Sequence, residues 1–176
     1  MAANKSVICR LLTVTGIALA SLLVIASFVV YMSPRLGWRV DGLRSGSMAP
    51  VLNTGDMVVT RPVAAEAVKV GDIIIFHSVD ANNMISHRVV SIEINSPLSF
   101  RTKGDANENP DPFVVPAGNL VGEIAFHAPL LGYAVLGLQT PMGLMASLVI
   151  PGVVIIAACL KSVRDELAKK KGNIAG

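Results

Sequence analysis

Residues 11–32 read LLTVTGIALASLLVIASFVVYM, 22 positions without a charge. As a helix this run is about 33 Å long, enough to cross a hydrocarbon core of about 30 Å. Lys5 and Arg10 precede it, so a cleavable signal peptide is the rival reading. Signal-peptide apolar regions are usually about 7–15 residues long, and the small-residue site Ala18-Leu19-Ala20 lies inside the run rather than after it. The run therefore reads as an uncleaved anchor.

Working outward, residues 142–160 form a second uncharged run, interrupted by Pro151-Gly152. A membrane helix tolerates such a pair as a kink; the competing reading is a buried core helix or hairpin. The expected organisation is a cytoplasmic N-terminus at 1–10, an anchor at 11–32 and an extracytoplasmic domain at 33–141. A second transmembrane helix at 142–160 and a basic cytoplasmic tail at 161–176 follow.

The chain is 52% apolar with a net charge of +3. That charge comes from the flanks: residues 33–141 hold 8 basic and 10 acidic side chains. A slightly acidic middle domain argues against nucleic-acid binding. The tail carries Lys161, Arg164, Lys169, Lys170 and Lys171, which by the positive-inside rule puts both ends in the cytoplasm; Arg35, Arg39 and Arg44 blur that signal, although a domain of this length translocates despite its charges. The two cysteines, Cys9 and Cys159, lie beside or within the apolar runs, so the middle domain has neither a disulfide nor a thiolate.

Between the runs the pattern shortens. Residues 57–60, 73–76, 87–94, 98–102 and 120–126 are rich in Val, Ile, Thr or Phe and are bounded by Gly, Pro, Asn or Asp, which predicts strands. Gly55-Asp56 and Gly71-Asp72 read as turns. Residues 78–86 read as a polar hairpin tip, and residues 104–118, with Pro110, Pro112 and Pro116, as an irregular excursion. The fold class is mainly β: a small antiparallel domain, curved or partly closed, anchored by an N-terminal and a C-terminal transmembrane helix.

Three polar clusters interrupt this aliphatic domain: Arg44-Ser45-Gly46-Ser47-Met48-Ala49-Pro50, Ser86-His87-Arg88-Val89-Val90 at the opening of a strand, and residues 102–112, TKGDANENPDP. They bring a hydroxyl, an imidazole and two carboxylates. A serine hydroxyl needs a base to take its proton, neutral imidazole suits that role, and a carboxylate fixes the tautomer and steadies the imidazolium. Attack on an amide also needs donors for the oxyanion, which the Ser47 N–H and the Ser45 hydroxyl are placed to supply. Each piece alone has a plain reading as a turn, a structural histidine or loop chemistry.

In combination the clusters resemble a known family. Ser45-Gly46-Ser47-Met48-Ala49-Pro50 is similar to the nucleophile motif of type I signal peptidases, and residues 71–76 to the strand that follows it. Ser86-His87-Arg88-Val89-Val90 resembles the version in which His replaces the general-base Lys, found in the endoplasmic reticulum, in archaea and in the SipW-like group of Gram-positive bacteria. Residues 102–107 resemble its Lys-Gly-Asp-x-Asn box, and Asp111 follows Asp105 by six residues, as the family's second Asp does.

The resemblance covers about residues 10–125 and implies Ser47 as nucleophile, His87 as general base, and Ser45 with Ser47 at the oxyanion hole. Asp111 is implied as the orienter of His87 and Asp105 as a supporting group, though both aspartates match family positions. It further implies secretory preproteins as substrates, cut after small residues, a catalytic domain on the outer side of the membrane, and no cofactor or metal. The second span is similar to the two-span prokaryotic members, which favours a bacterial or archaeal cell membrane over that of the endoplasmic reticulum.

Other assignments fit less well. Lys69 or Lys103 would make a Ser–Lys dyad of the self-cleaving repressor type only if buried and neutral. His77 and His127 lie in apolar runs and are expected to be core or edge residues, without the acidic or Cys partners of a metal site. Met48 either lines a substrate pocket or packs. From another class, the domain would be a non-enzymatic, membrane-tethered scaffold; intact Ser47, His87, Asp105 and Asp111 speak against that.

Overall fold

The structure is a computed structural model and describes residues 2–78, 83–94 and 97–174. Two helices dominate the ends of the chain, α1 at Ala2–Met32 and α3 at Pro141–Ile174. Within them and just beyond α1, the spans Thr13–Leu36 and Pro141–Arg164, 24 residues each with mean hydropathies of 2.3 and 2.5, are long and apolar enough to cross a membrane. Leu19, Leu22 and Phe28 on α1 and Ile150, Val153 and Ile156 on α3 are exposed. An all-round apolar helix with so little of its surface buried suits a lipid surround. Helix α3 runs through Pro151 without ending, so residues 142–160 are not a hairpin.

Residues 30–137 form a compact unit of their own. Its strands are β1 (Arg39–Gly42), β2 (Met57–Arg61), β3 (Ile73–His77), β4 (Met84–Glu93), β5 (Ser99–Lys103), β6 (Val114–Pro116) and β7 (Leu120–Ala128). A short helix, α2, follows at Gly132–Leu138. The strands make one antiparallel sheet in the order β1-β2-β7-β3-β4-β5-β6, curved into a half-barrel. Register shifts at Val59/Thr60, Ile75/Phe76 and Val89/Ser91 supply curvature, because an extra residue in one strand bends it and raises its twist.

The small antiparallel β-domain expected from the sequence is thus present. Strand β4 starts three residues earlier than expected, at Met84, so His87 stands inside the strand rather than at its opening. Residues 79–82 of the expected hairpin tip lie outside the described residues. The excursion at 104–118 contains the short edge strand β6.

Strand β3 is covered on both faces, as its unbroken Ile-Ile-Ile-Phe run suggests. Ile74 and Phe76 join Val68, Val89, Phe100 and Val115 in one cluster. Ile75 joins Met48, Leu52 and Val58 in another. The second cluster holds the residue that follows Ser47, so packing of Met48 fixes where the Ser47 turn sits.

Thr60 lies in the bulged part of β2, fully buried, and its Oγ1 has no hydrogen-bond partner among the described residues. A buried hydroxyl without a partner costs roughly 1–3 kcal/mol. Thr60→Val keeps the branched shape and removes that cost. The variant is expected to melt several degrees higher in detergent (~1 kcal/mol, read as a shift in Tm). A lower Tm would mean that the hydroxyl is satisfied in solution.

Candidate active site

Strand β4 alternates its side chains, and His87 and Val89 face inward while Arg88 between them does not. Ile74 on β3 lies directly across from His87 and Thr102 on β5 directly across from Val89. His87 and Thr102 therefore sit side by side on one face of the sheet. The Phe76 ring meets the imidazole edge-on, at 6.4 Å between centroids.

Beyond β5 the chain turns back, and the Asp111 N–H donates to the Thr102 carbonyl at 2.8 Å. This tie brings the Asp111 carboxylate to the histidine: Nδ1 of His87 lies 2.6 Å from Oδ2 of Asp111, with both residues only 7% exposed. The Thr102 hydroxyl donates to the same Oδ2, also at 2.6 Å. An ionised carboxylate only accepts, so a neutral imidazole bonded to it carries its proton on Nδ1 and leaves the Nε2 lone pair free. That is the tautomer a general base requires.

Asp105 is engaged elsewhere. Arg88 donates to its two oxygens, Nε to Oδ1 at 2.9 Å and Nη2 to Oδ2 at 2.6 Å, and also to the Gly71 carbonyl at 2.7 Å. The hydrogen bond to Asp105 raises the Arg88 pKa above its ordinary value, against a smaller lowering by burial. The pair laces the loop after β5 to β4 and to the turn before β3.

Ser47 lies in a tight turn in which the Ala49 N–H donates to the Gly46 carbonyl at 3.0 Å. Met48 and Leu52 are buried pegs on either side of the cis Ala49-Pro50 bond. The Ser47 carbonyl accepts from the Ala106 N–H at 2.9 Å, which fastens the turn to the loop beginning at Gly104. The Ser47 hydroxyl is 3.3 Å from that of Ser45, an exposed residue. Among the described residues no hydrogen bond joins Ser47 to His87. The structure therefore brings together His87 with Asp111, Ser45 with Ser47, and the Ser47 backbone with the loop that carries Asp105.

Of the other residues considered from sequence, Lys69 is exposed and Lys103 half-buried. His77 and His127 are exposed rather than core, and each is paired on one side only, His77 with Met84 of β4 and His127 with Val58 of β2. Among the described residues no group of His, Cys, Asp and Glu could hold a metal ion. Met48 packs in the core. The contacts of Thr102, Arg88 and Gly104 are not legible in the sequence, because they depend on strand register and on how the loop after β5 returns to the Ser47 turn.

Comparison with known proteins gives the same direction. No family model matches the chain. Signal peptidase I W of Bacillus subtilis (strain 168) is 36% identical over 77 residues, 43% of this chain and 40% of that protein. The signal peptidase complex catalytic subunit SEC11C of Homo sapiens is 33% identical over 69 residues, 38% of this chain and 36% of that protein. The dog protein of the same name matches equally. This chain is similar to the type I signal peptidases. It spans about two fifths of the length of these signal peptidases, and the resemblance first seen in its motifs is supported by them.

A β-carbon on Gly104 would lie 2.6 Å from the Ser47 carbonyl oxygen and 2.8 Å from Asn107 Nδ2. The first contact is backbone rather than the end of a flexible side chain, so Gly104→Ala must shift the loop and the Ser47 turn apart. A displacement of about 1 Å at a reacting group costs roughly 10²-fold in rate. With Ser47 as the reacting group, the role proposed below, Gly104→Ala is expected to lower turnover by about that factor; an unchanged kcat would show that the turn and loop are not held in register.

Proposed function

We propose that this chain is a membrane-bound serine endopeptidase that removes signal peptides from exported preproteins, cutting after small residues of the Ala-x-Ala type. The observation that carries this reading is the buried His87–Asp111 couple at 2.6 Å, in the same compact unit as the Ser45-Gly46-Ser47 turn. The names of the similar proteins and the family resemblance of this chain's motifs support the substrate class.

On this reading Ser47 is the nucleophile. Its hydroxyl leaves Ser45, meets the Nε2 lone pair of His87 and gives up its proton as it attacks the scissile carbonyl. Asp111 holds the imidazole in the required tautomer and balances the imidazolium that forms. The Ser47 N–H and the Ser45 hydroxyl stabilise the oxyanion. The imidazolium then protonates the leaving amine, and water repeats the cycle to release the acyl group. No step calls for a metal or cofactor. A tethered scaffold would have no use for a histidine and a carboxylate desolvated together. The test is cleavage of a purified preprotein with an Ala-x-Ala site, wild type against Ser47→Ala. Equal cleavage by the two, or none by wild type, removes the reading.

The two apolar helices suit a multi-pass protein of a bacterial or archaeal cell membrane, with the β-domain outside and both ends in the cytoplasm. In a Cys9→Ala, Cys159→Ala background, a cysteine replacing exposed Glu66 is expected to react with an impermeant thiol reagent on intact cells. One replacing Lys170 is expected to stay unreactive until the cells are lysed. Labelling of the tail on intact cells would overturn the two-span topology.

A further inference from the structure

We propose that Thr102 is a positioning residue for the His87–Asp111 couple, aiming the carboxylate so that the imidazole presents Nε2 to the nucleophile. The inference deepens the proposed function and rests on it.

Asp111 is fixed to Thr102 at two points. Its N–H donates to the Thr102 carbonyl at 2.8 Å, and its Oδ2 accepts the Thr102 hydroxyl at 2.6 Å. The backbone bond holds the Cα, leaving rotation of the carboxylate as the remaining freedom. The hydroxyl restricts that freedom by bonding to Oδ2, the same oxygen that lies 2.6 Å from His87 Nδ1. Both donors bond to a charged acceptor, which shortens and strengthens each bond. Thr102 is fully buried and Asp111 nearly so, so water does not compete for the oxygen.

The plainer alternative is that a buried threonine simply needs some acceptor. Thr60 argues against it. That residue is also a buried strand threonine of this sheet. Among the described residues its hydroxyl has no partner, whereas the one beside the histidine is bonded to the oxygen that holds the imidazole. Loss of that bond frees the carboxylate to rotate and lets the ring drift, an error of orientation rather than of substrate binding.

The experiment compares Thr102→Val, which keeps shape and loses the hydroxyl, with Thr102→Ser, which keeps the hydroxyl and loses a methyl. Wild type, Ser47→Ala and Thr60→Val serve as controls. Thr102→Val is expected to lower kcat about 10–100-fold with little change in KM, Thr102→Ser to recover most of the loss, and Thr60→Val to match wild type. The second readout needs no turnover: the proton on His87 Nδ1, bonded to a carboxylate, should give a far-downfield proton NMR signal that shifts or vanishes in Thr102→Val and persists in Thr102→Ser. A valine variant with unchanged kcat and unchanged signal overturns the proposal, as does a serine variant as damaged as the valine one. If wild type fails to cleave, the proposed function falls and the signal alone decides the role of Thr102.

Discussion

Ser47→Ala and His87→Ala are each expected to lower preprotein cleavage by about 10⁴–10⁶-fold, and the double variant to be no worse than either. The non-additivity is the informative part. A base without a nucleophile, or a nucleophile without a base, does nothing, so the second deletion removes a group that has already lost its function. Two independent contributions would instead multiply. Accumulation in membranes and an unchanged Tm for Ser47→Ala would separate this loss from misfolding, since Ser47 is only half-buried. His87→Ala leaves space beside Phe76 and will cost some stability, so its rate must be read on protein shown to be folded. Substantial turnover by His87→Ala, together with a dead Lys69→Ala or Lys103→Ala, would transfer the base to a lysine. The exposure of Lys69 and the partial exposure of Lys103 make that outcome unexpected, because a neutral lysine requires burial.

Much of this candidate site is legible in the sequence, and the reasons for the gaps are physical. Five strands announced themselves through β-branched runs bounded by turn residues. The two that did not are the edges of the sheet. Arg39–Gly42 is four residues with two charges and a glycine, and Val114–Pro116 is three residues ending in a proline. Edge strands need neither continuous apolar character nor every N–H, so they leave little pattern to detect. The short helix Gly132–Leu138 likewise has too few turns for a period to appear.

Residue types pointed to a serine, a histidine and two aspartates, yet types alone do not decide which carboxylate meets the imidazole. Strand parity does. His87 and Arg88 are neighbours in sequence and project to opposite sides of β4. The inward one takes Asp111 and the other takes Asp105. Thr102 enters for the same reason, since only the register of β4 against β5 places it beside His87.

That division of partners makes the two carboxylates separable by experiment. Asp111→Asn removes the charge that balances the imidazolium and admits the wrong tautomer, because an amide can donate to Nδ1 as well as accept from it. It is expected to lower kcat about 10³–10⁴-fold. Asp105→Asn leaves the His87–Asp111 couple untouched and deprives Arg88 of its counter-charge. Its cost is expected mainly in stability, about 1 kcal/mol for a partly exposed pair, with turnover reduced by less than about tenfold. The pH dependence carries a sign. The Arg88 pKa is raised in the fold, chiefly by its hydrogen bond to Asp105. Stabilisation from a raised pKa is present below the unfolded value and is lost only as pH climbs through the folded one. For a guanidinium both values lie far on the alkaline side. The drop in Tm caused by Asp105→Asn should therefore be the same at about pH 6 and about pH 9, where Arg88 is charged in both states. Kinetics and melting curves for the two variants across that range decide the matter. If Asp105→Asn proved the more damaging to kcat, with Asp111→Asn nearly as active as wild type, the assignment of Asp111 as the orienter of His87 would be wrong.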